Sequence, residues 1–177
     1  MVRCFIGILI PEEIKPKIIE LQNFLSNFVK AKFVERENLH LCFSFLGEKN
    51  EKEIENVKEK LNEIGKNFES FEVKVKGIKL IPSQSFVRVI ALNVFDEKGI
   101  SEGLRLEILN EIGGDSKPLH LTLCRVKNKE RKKFFENIEK VKEFYAGSFW
   151  VNSIQLIKSE LSKKGPSYEL IHEVKLK

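Results

Sequence analysis

The feature that most constrains the fold is a short pattern that occurs twice, as Leu39-His40-Leu41-Cys42-Phe43 and as Leu119-His120-Leu121-Thr122-Leu123. Side chains of a β-strand alternate between the two faces of a sheet, so each stretch puts its leucines on one face. The other face carries a histidine and, two residues later, a small side chain with a donor hydrogen. The two histidines are 80 residues apart in a chain of 177. The pattern predicts two strands, each with one buried face and one chemically capable face.

The bulk composition is typical of a folded domain. With 177 residues, 42% of them hydrophobic, and 14 Phe, the chain can bury the core of one large domain or of two small lobes. No apolar run approaches the ~20 residues that span a bilayer. The apolar run at 2–10 lacks a small-residue cleavage site, so it predicts a buried strand rather than a signal peptide. Three cysteines without paired spacing favour a reducing compartment, and we expect a cytoplasmic protein.

The charge of the chain permits an anionic partner without requiring one. The formal net charge is +5 and the sequence pI is about 9.0, and the charged residues are mostly Lys mixed with Glu. Abundant Lys and Glu together with only three Gln are typical of proteins from thermophiles.

Hydrophobic periodicity predicts an alternation of strands and helices along the whole chain. We predict strands at 2–10, 39–46 (ended by Gly47), 71–76, 86–94, 119–126, 149–159 and 168–176. We predict helices at 11–30, 50–65, 97–112 and 130–144. Between them we expect a short extended piece at 33–34, a turn at 81–85 and a flexible loop at 113–118.

The order of these elements predicts an internal duplication. Residues 2–79 run strand, helix, motif strand, helix, strand, and residues 86–158 run the same way before one extra strand. Val2-Arg3 opens the first copy and Val87-Arg88 opens the second, 85 residues later. A duplicated unit commonly folds about a pseudo-twofold axis, and such an axis would bring the two motif strands face to face.

The two motifs resemble the paired His-hydrophobic-Thr/Ser-hydrophobic motifs of the 2H phosphoesterases. Within that group the chain is most similar to the RNA 2′,3′-cyclic phosphodiesterases, historically called 2′–5′ RNA ligases. Supporting pieces span the sequence, at 3–6, 37–40, 45–48, 88–89, 123–126, 159–161 and 165–169.

The resemblance implies one bilobal domain of the α+β class over residues 1–177. Two antiparallel sheets would flank a central cleft, with the helices on the outside and one motif histidine from each sheet. It implies a monomeric hydrolase that opens the 2′,3′-cyclic phosphate end of RNA to a 2′-phosphate, without a metal, a nucleotide cofactor or a membrane. The reverse reaction, ligation of RNA ends into a 2′–5′ linkage, would use the same residues.

Two imidazoles suit this chemistry because, with a reference pKa near ~6.5, they can hold opposite protonation states around neutral pH. The resemblance implies that His40 is the acid that protonates the leaving O3′ and that His120 is the base that activates water. The residues alone also allow the opposite assignment. Thr122 would donate a hydrogen bond to a phosphoryl oxygen. Cys42 stands where the family usually has Thr or Ser, and a thiol is the weaker donor.

Further polar residues are placed by strand alternation and by the resemblance. Arg125 matches a family arginine near the phosphate, yet strand alternation sets it on the leucine face. Two explanations would reconcile these positions. Either the strand ends or bulges by Cys124, or Arg125 acts from the rim of the cleft. Cys124 shares the alternation of His120 and is expected at the cleft floor. Tyr168 could stack on a base or pack in the fold. Three further expectations are a core position for Cys4, an ordinary strand position for His172, and a solvated turn for Lys163 and Lys164, with contact to RNA phosphate as the alternative for these two lysines.

Four alternatives compete with this hypothesis. The first is a zinc site, because strand alternation puts His40, Cys42, His120 and Cys124 on the same face and zinc accepts a Cys₂His₂ set of ligands. The chain could bind RNA in the same basic cleft without turnover, or it could hydrolyse small-molecule cyclic phosphates such as ADP-ribose derivatives. Cys42 could also act as a thiolate nucleophile.

Overall fold

The protein consists of nine strands and four helices, and the computed structural model describes all residues from 1 to 177. The strands are β1 Val2–Leu9, β2 Val29–Phe33, β3 His40–Lys49, β4 Phe71–Pro82, β5 Val87–Phe95, β6 His120–Lys129, β7 Tyr145–Val151, β8 Ser153–Ser162 and β9 Gly165–Lys175. The helices are α1 Lys15–Ser26, α2 Glu51–Asn67, α3 Ile100–Glu111 and α4 Arg131–Val141.

The strands form one antiparallel sheet in the order β7-β4-β5-β6-β3-β1-β8-β9, with β2 also paired to β6. The two motif strands, β3 and β6, are neighbours in this order, and they are joined by a single residue pair, Leu41 with Leu121. The α+β class with antiparallel strands is therefore confirmed. The two sheets expected from the resemblance are joined here into one hydrogen-bonded path.

The helices pack on one face of the sheet and bury two hydrophobic clusters. The first cluster joins α1 and α4 to the leucines of β3 and β6, and it includes Leu21, Leu41, Leu121 and Phe134. The second joins α2 and α3 to β1, β8 and the distal part of β3. Both clusters lie on the same side of the motif strands, so the opposite sheet face is left for the polar residues of the motifs. No helix is both long and apolar enough to span a bilayer.

Local sequence accounts for where most helices begin. Asn50 and Glu53 form a reciprocal capping box at the start of α2, in which each side chain accepts from the other residue's backbone N–H. Gly99 adopts a left-handed φ of 70° before α3, and that helix begins three residues later than the periodicity predicts. Glu130 caps α4 by accepting hydrogen bonds from the backbone N–H groups of Lys132 and Lys133.

The predicted extent of the first helix is wrong at its C-terminal end. Helix α1 ends at Ser26 rather than near Lys30, and residues 29–33 form β2 instead. Val29, Ala31 and Phe33 face the core while the intervening lysines are exposed, which is the alternation of a half-buried strand. Pairing with β6 satisfies the backbone of this segment, and that partner is distant in sequence.

Three further differences concern breaks in the chain. The segment predicted as one strand at 149–159 belongs to two strands, β7 and β8, that are separated at Asn152. Strand β3 continues through Gly47, which adopts a φ of 71°. The loop at 113–118 is held against β3, because Phe45 and Asp115 exchange two backbone hydrogen bonds of 2.8 Å.

Candidate active site

The sheet brings the two motif faces together at the junction of β3 and β6. Leu41 and Leu121 pair there and are fully buried. The residues that flank these leucines are all half-buried and share the sheet face opposite the helices, and they are His40, Cys42, His120 and Thr122. We call this the site face. The charge of His120 also influences the pKa of His40, which agrees with their placement on one surface.

Strand β6 contains a bulge at the end of its motif. Thr122 pairs with Ala91 and Cys124 pairs with Ile90, so Leu123 is the extra residue with no partner on β5. One extra residue reverses the alternation of the side chains that follow it.

The β6 bulge decides the positions of Arg125 and Cys124. Arg125 pairs with Val89 on the site face and is exposed, so the predicted alternative of a bulge near Cys124 is the one found. Cys124 is fully buried in the hydrophobic core, where burial raises its pKa to about 12. Its expected position at the cleft floor is wrong.

The same displacement separates the proposed zinc ligands. Cys124 lies on the core side of the sheet, away from His40, Cys42 and His120, so the Cys₂His₂ set is not assembled. No three or more His, Cys, Asp and Glu side chains lie close enough together to hold a metal ion.

Strand β3 contains the same bulge at the equivalent position. Cys42 pairs with Gly7 and Ser44 pairs with Ile6, which leaves Phe43 as the extra residue. Ser44 consequently turns inward, where it is fully buried and donates a hydrogen bond of 2.7 Å to the carbonyl of Gly113. This bond attaches β3 to the loop that leads into the second motif strand.

Both motif histidines are oriented by the same kind of hydrogen bond. Nδ1 of His40 lies 2.7 Å from the carbonyl oxygen of Asn38, and Nδ1 of His120 lies 2.9 Å from that of Pro118. A carbonyl only accepts, so each Nδ1 carries a hydrogen and donates it. This fixes the tautomer and leaves each Nε2 as the nitrogen that can exchange a proton with a substrate.

Aromatic rings enclose His40. The ring of Phe5 lies 4.9 Å from the His40 ring between centroids, and the ring of Tyr168 lies edge-on at 5.2 Å. Burial lowers the pKa of His40, the hydrogen bond to Asn38 opposes this effect, and positive charge on His120 lowers the pKa further. In the unliganded protein His40 is therefore biased towards its neutral form.

Cys42 is a protonated thiol in this environment. Burial raises its pKa to about 12, and the nearby carboxylate of Asp115 acts in the same direction. A thiol that keeps its proton is a weak hydrogen-bond donor and a poor nucleophile, because the thiolate is the reactive form.

Tyr168 connects the C-terminal hairpin to the site. Burial raises the pKa of its phenol; Cys42 and Glu35 raise it further, and the positive charges of Arg125 and Arg3 lower it. The ring also packs edge-on against Phe5 at 5.1 Å, so Tyr168 forms part of the wall beside His40. Both arginines therefore lie near this wall.

The sequence did not reveal the role of Asn38. This side chain is buried, and its Nδ2 donates to the carbonyl of Pro166 at 2.7 Å and to Glu35 at 3.3 Å. The same residue supplies the carbonyl that orients His40. Asn38 therefore couples the C-terminal hairpin to the first histidine, over a sequence distance of 128 residues that local pattern cannot bridge.

Small residues lie beside the second position of each motif. Gly7 pairs with Cys42, and Ala91 pairs with Thr122. A Cβ atom on Gly7 would come within 2.3 Å of the Leu41 carbonyl oxygen, so the two strands approach too closely for a side chain there. The glycine inside an apolar run was the sequence signal for this close approach.

The remaining residues singled out in the sequence lie elsewhere. Cys4 is buried in the second cluster, as expected. His172 faces the helices, and its Nε2 lies 2.8 Å from the side-chain oxygen of Asn62 on α2, so it is an ordinary strand residue. Lys163 and Lys164 form the exposed turn between β8 and β9.

Comparison with known proteins places this geometry in a family. Residues 8–91 match the model of the LigT-like phosphoesterases. A Methanocaldococcus jannaschii protein named RNA 2′,3′-cyclic phosphodiesterase is 35% identical and aligns over 97% of this chain and 99% of its own length. An Aquifex aeolicus protein of the same name is 30% identical over 98% of this chain and 96% of its own. Relatives from thermophiles agree with the Lys- and Glu-rich composition.

Solved structures share the fold over nearly the whole chain. A crystal structure of a Thermus thermophilus protein superposes with a TM-score of 0.78 at 26% identity and covers 98% of this chain and 97% of its own. Apo E. coli LigT gives the same TM-score at 21% identity over 99% and 97% of the two chains. Together with the full-length relatives, these matches show that the chain is an enzyme of the LigT-like phosphoesterase family.

Proposed function

We propose that this enzyme hydrolyses the 2′,3′-cyclic phosphate end of RNA to a 2′-phosphate, with His40 and His120 as its acid and base. The observation that carries the proposal is the matched pair of histidines on one sheet face, each with Nδ1 bonded to a carbonyl and Nε2 available. The full-length relatives named RNA 2′,3′-cyclic phosphodiesterase support the choice of substrate.

The reaction needs one proton removed and one supplied. Nε2 of His120 takes a proton from water as the water oxygen bonds to phosphorus. The bond between phosphorus and O3′ breaks, and O3′ receives a proton from Nε2 of His40 to become the 3′-hydroxyl. The phosphate then remains on O2′. General acid and base catalysis of this kind typically contributes on the order of 10²–10⁴-fold.

Donors beside the histidines suit the phosphoryl oxygens. Thr122 offers a hydroxyl and Cys42 a thiol hydrogen, one from each motif. Their pairing partners, Gly7 and Ala91, place no bulky side chain beside them. Arg125 adds a positive charge on the same face, which favours the charge that develops on the phosphoryl group.

The test is to treat the protein with a metal chelator and incubate it with a short RNA that ends in a 2′,3′-cyclic phosphate. We expect turnover, with a 2′-phosphate as the product isomer by ³¹P NMR. A 3′-phosphate product, or turnover that requires an added metal, contradicts the proposed chemistry. RNA affinity without turnover, unchanged by alanine at both histidines, would instead identify a binding module. Turnover of ADP-ribose cyclic phosphate alone would identify a small-molecule phosphodiesterase.

Position 42 provides a prediction about the donor. Cys42→Thr is expected to preserve turnover or raise it by up to about tenfold, because a hydroxyl donates better than a thiol and one neutral hydrogen bond is worth roughly 0.5–1.5 kcal/mol. The measurement is kcat/KM on the cyclic-phosphate RNA. A loss beyond about 10²-fold in a folded variant would make Cys42 the nucleophile.

The burial of His40 provides a prediction about its titration. We expect its pKa by NMR to lie below the ordinary ~6.5 in the free protein and to rise when a 2′-nucleotide product binds, because an adjacent anion favours the imidazolium. The pKa of His40 is lower in the folded protein than in the unfolded chain, so this residue also makes folding depend on pH. Its contribution to the free energy of unfolding is fully present above about pH 6.5 and is lost as the pH falls through the pKa of His40 in the folded protein. A His40 pKa that does not respond to the product means that its ring does not face the phosphate.

The same site suits 2′–5′ ligation, in which the 5′-hydroxyl of a second RNA replaces water as the nucleophile. We propose this as a minor activity of the enzyme. It forms a bond between phosphorus and O5′, breaks the bond to O3′, and needs the same two proton transfers.

We also propose that the domain is a bilobal duplicated unit with repeats near 2–79 and 86–158, and that it works as a cytoplasmic monomer. The matched bulges support the duplication, since the extra residues Phe43 and Leu123 are 80 residues apart, like the histidines. Gel filtration should give a mass near the 20.6 kDa of one chain.

A further inference from the structure

We propose that a strip of unpaired lysines beside Arg125 binds the backbone phosphates of the RNA upstream of the cyclic end. The strip consists of Lys30 and Lys32 on β2 and Lys127 on β6. It would make the enzyme prefer RNA oligonucleotides to cyclic mononucleotides. This inference rests on the proposed function and adds the length class of the substrate.

The strip adjoins a strongly basic stretch of the sequence, of which Arg125 and Lys127 lie on the site face, while Arg131, Lys132 and Lys133 belong to α4 on the helix face. Residues 125–133 contain six basic side chains and one acidic side chain, a net charge of +5. The whole chain also has a net charge of +5, so the other residues together are neutral. On the site face, Arg125 and Lys127 lie beside Lys30 and Lys32, and a row of exposed basic side chains of this kind suits a polyanion.

Strand pairing puts the strip on the site face. Lys32 pairs with Arg125, which in turn pairs with Val89 on the site face. Lys30 lies two residues from Lys32 and shares its face, while Val29 and Phe33 point into or against the core. Lys127 lies two residues beyond Arg125, as the extra residue opposite Lys30 and Ala31. The strip therefore continues from the Arg125 side of the site along β2 and β6.

These lysines are exposed and lack acidic partners. Lys30, Lys32 and Lys127 are all exposed, and none has a carboxylate oxygen within 4.0 Å. By contrast, Lys74 and Lys76 on β4 lie 2.6 Å and 3.9 Å from Glu97 and Glu143. Unpaired surface cations in a row are available to an external anion, whereas the paired ones on β4 are partly neutralised.

The end of the strip adjoins the wall of the active site. The ammonium of Lys32 and the carboxylate of Glu35 both flank Gly165, at the start of β9. Tyr168, three residues later, lies edge-on to the ring of His40 and within the influence of Arg125. An RNA strand whose last phosphate lies between the histidines can therefore leave the site past Tyr168 and continue over the lysines.

Counterion release sets the expected size of the effect. For a single strand the logarithm of affinity falls with the logarithm of salt with a slope of about −0.7 per phosphate contact. Three lysine contacts give a slope of about −2, which corresponds to a loss of roughly tenfold or more in affinity between 50 and 200 mM salt. A cyclic mononucleotide has no upstream phosphate and should not show this contribution.

The test compares a triple variant, Lys30→Gln with Lys32→Gln and Lys127→Gln, with a control of equal charge loss. The control carries Lys52→Gln, Lys98→Gln and Lys177→Gln, at exposed positions without acidic partners outside the strip. The substrates are a ten-nucleotide RNA with a 2′,3′-cyclic phosphate end and the corresponding cyclic mononucleotide. Fluorescence anisotropy measures binding of the same RNA ending in a 2′-phosphate, independently of turnover.

We expect the strip variant to lose roughly tenfold or more in kcat/KM and in affinity for the ten-nucleotide RNA at low salt, and to lose about two units of salt slope. Its kcat/KM on the mononucleotide should stay within about twofold. The control should keep its kcat/KM on both substrates, its affinity for the ten-nucleotide RNA and its salt slope. The proposal that the strip binds RNA is overturned by any of three results. These are an equal loss of kcat/KM on both substrates, no loss on the oligonucleotide, or the same loss in the control variant. If the wild-type protein turns over neither substrate, the proposed function fails, and the anisotropy comparison still decides whether the strip binds RNA.

Discussion

Alanine at either His40 or His120 is expected to lower turnover of cyclic-phosphate RNA by at least about 10²-fold. Each histidine presents Nε2 on the site face, so removing one deletes the acid or the base and leaves the other group in place. The effect should appear in kcat, measured under saturating substrate, because proton transfer belongs to the chemical step.

The double alanine variant should be far less impaired than the product of the two single losses, because the two imidazoles act as a unit. His172→Ala is the matched control, since this third histidine bonds to Asn62 on the helix side of the sheet. Its turnover should equal that of the wild type. Near-normal turnover in either motif variant, with His172→Ala also normal, removes the two-histidine account.

The second large effect is expected at Gly7. A methyl group at Gly7 would meet the Leu41 carbonyl oxygen at 2.3 Å and Phe5 at 3.1 Å, and a backbone oxygen in a paired strand cannot move aside without cost. Gly7→Ala should therefore lower the free energy of unfolding by about 1–3 kcal/mol, as overpacking does. Denaturant unfolding monitored by circular dichroism measures this change.

Gly103→Ala is the opposite case. Gly103 lies within α3, and a Cβ atom there makes only an ordinary contact of 3.5 Å with Phe68. Alanine has the better helix propensity, so this variant should gain roughly 0.5–1 kcal/mol. If Gly7→Ala is as stable as the wild type, the close approach of β1 and β3 is not what requires glycine at position 7.

The parts of the structure that follow from local pattern could be predicted from the sequence. The alternation of His40, Leu41 and Cys42 implies a strand with one buried face, and the periodic apolar residues of α2 imply a helix of the observed length. These features depend on neighbours within one turn or one strand. The meeting of the two motif strands was expected from the internal duplication and from the resemblance, because nothing local determines which distant strands meet.

The bulges mark the limit of the alternation argument. Simple alternation put Cys124 at the cleft floor and Arg125 on the leucine face, and the extra residue at Leu123 exchanges these positions. A bulge is set by how a strand registers with its partners on both sides, which a single segment does not encode. Segment 29–33 shows the same dependence, since Val29 continues the helical spacing of Leu25 and pairing with the distant β6 draws this residue into a strand.

The measurement that most directly tests the central claim compares two substrates with different leaving groups. One is the cyclic-phosphate RNA, whose departing O3′ needs a proton, and the other is a 3′-deoxynucleoside 2′-(p-nitrophenyl phosphate), which keeps its phosphate on O2′ and whose phenolate leaves without a proton. Since an acid is dispensable for the second substrate, His40→Ala should lose at least about 10²-fold on RNA and less than about tenfold on the ester.

His120→Ala should lose at least about 10²-fold on both substrates, because water must be activated in each case. The reversed pattern, with His120→Ala rescued by the ester, would assign His120 as the acid and His40 as the base. Equal losses of both variants on both substrates would contradict acid–base catalysis by this pair of histidines.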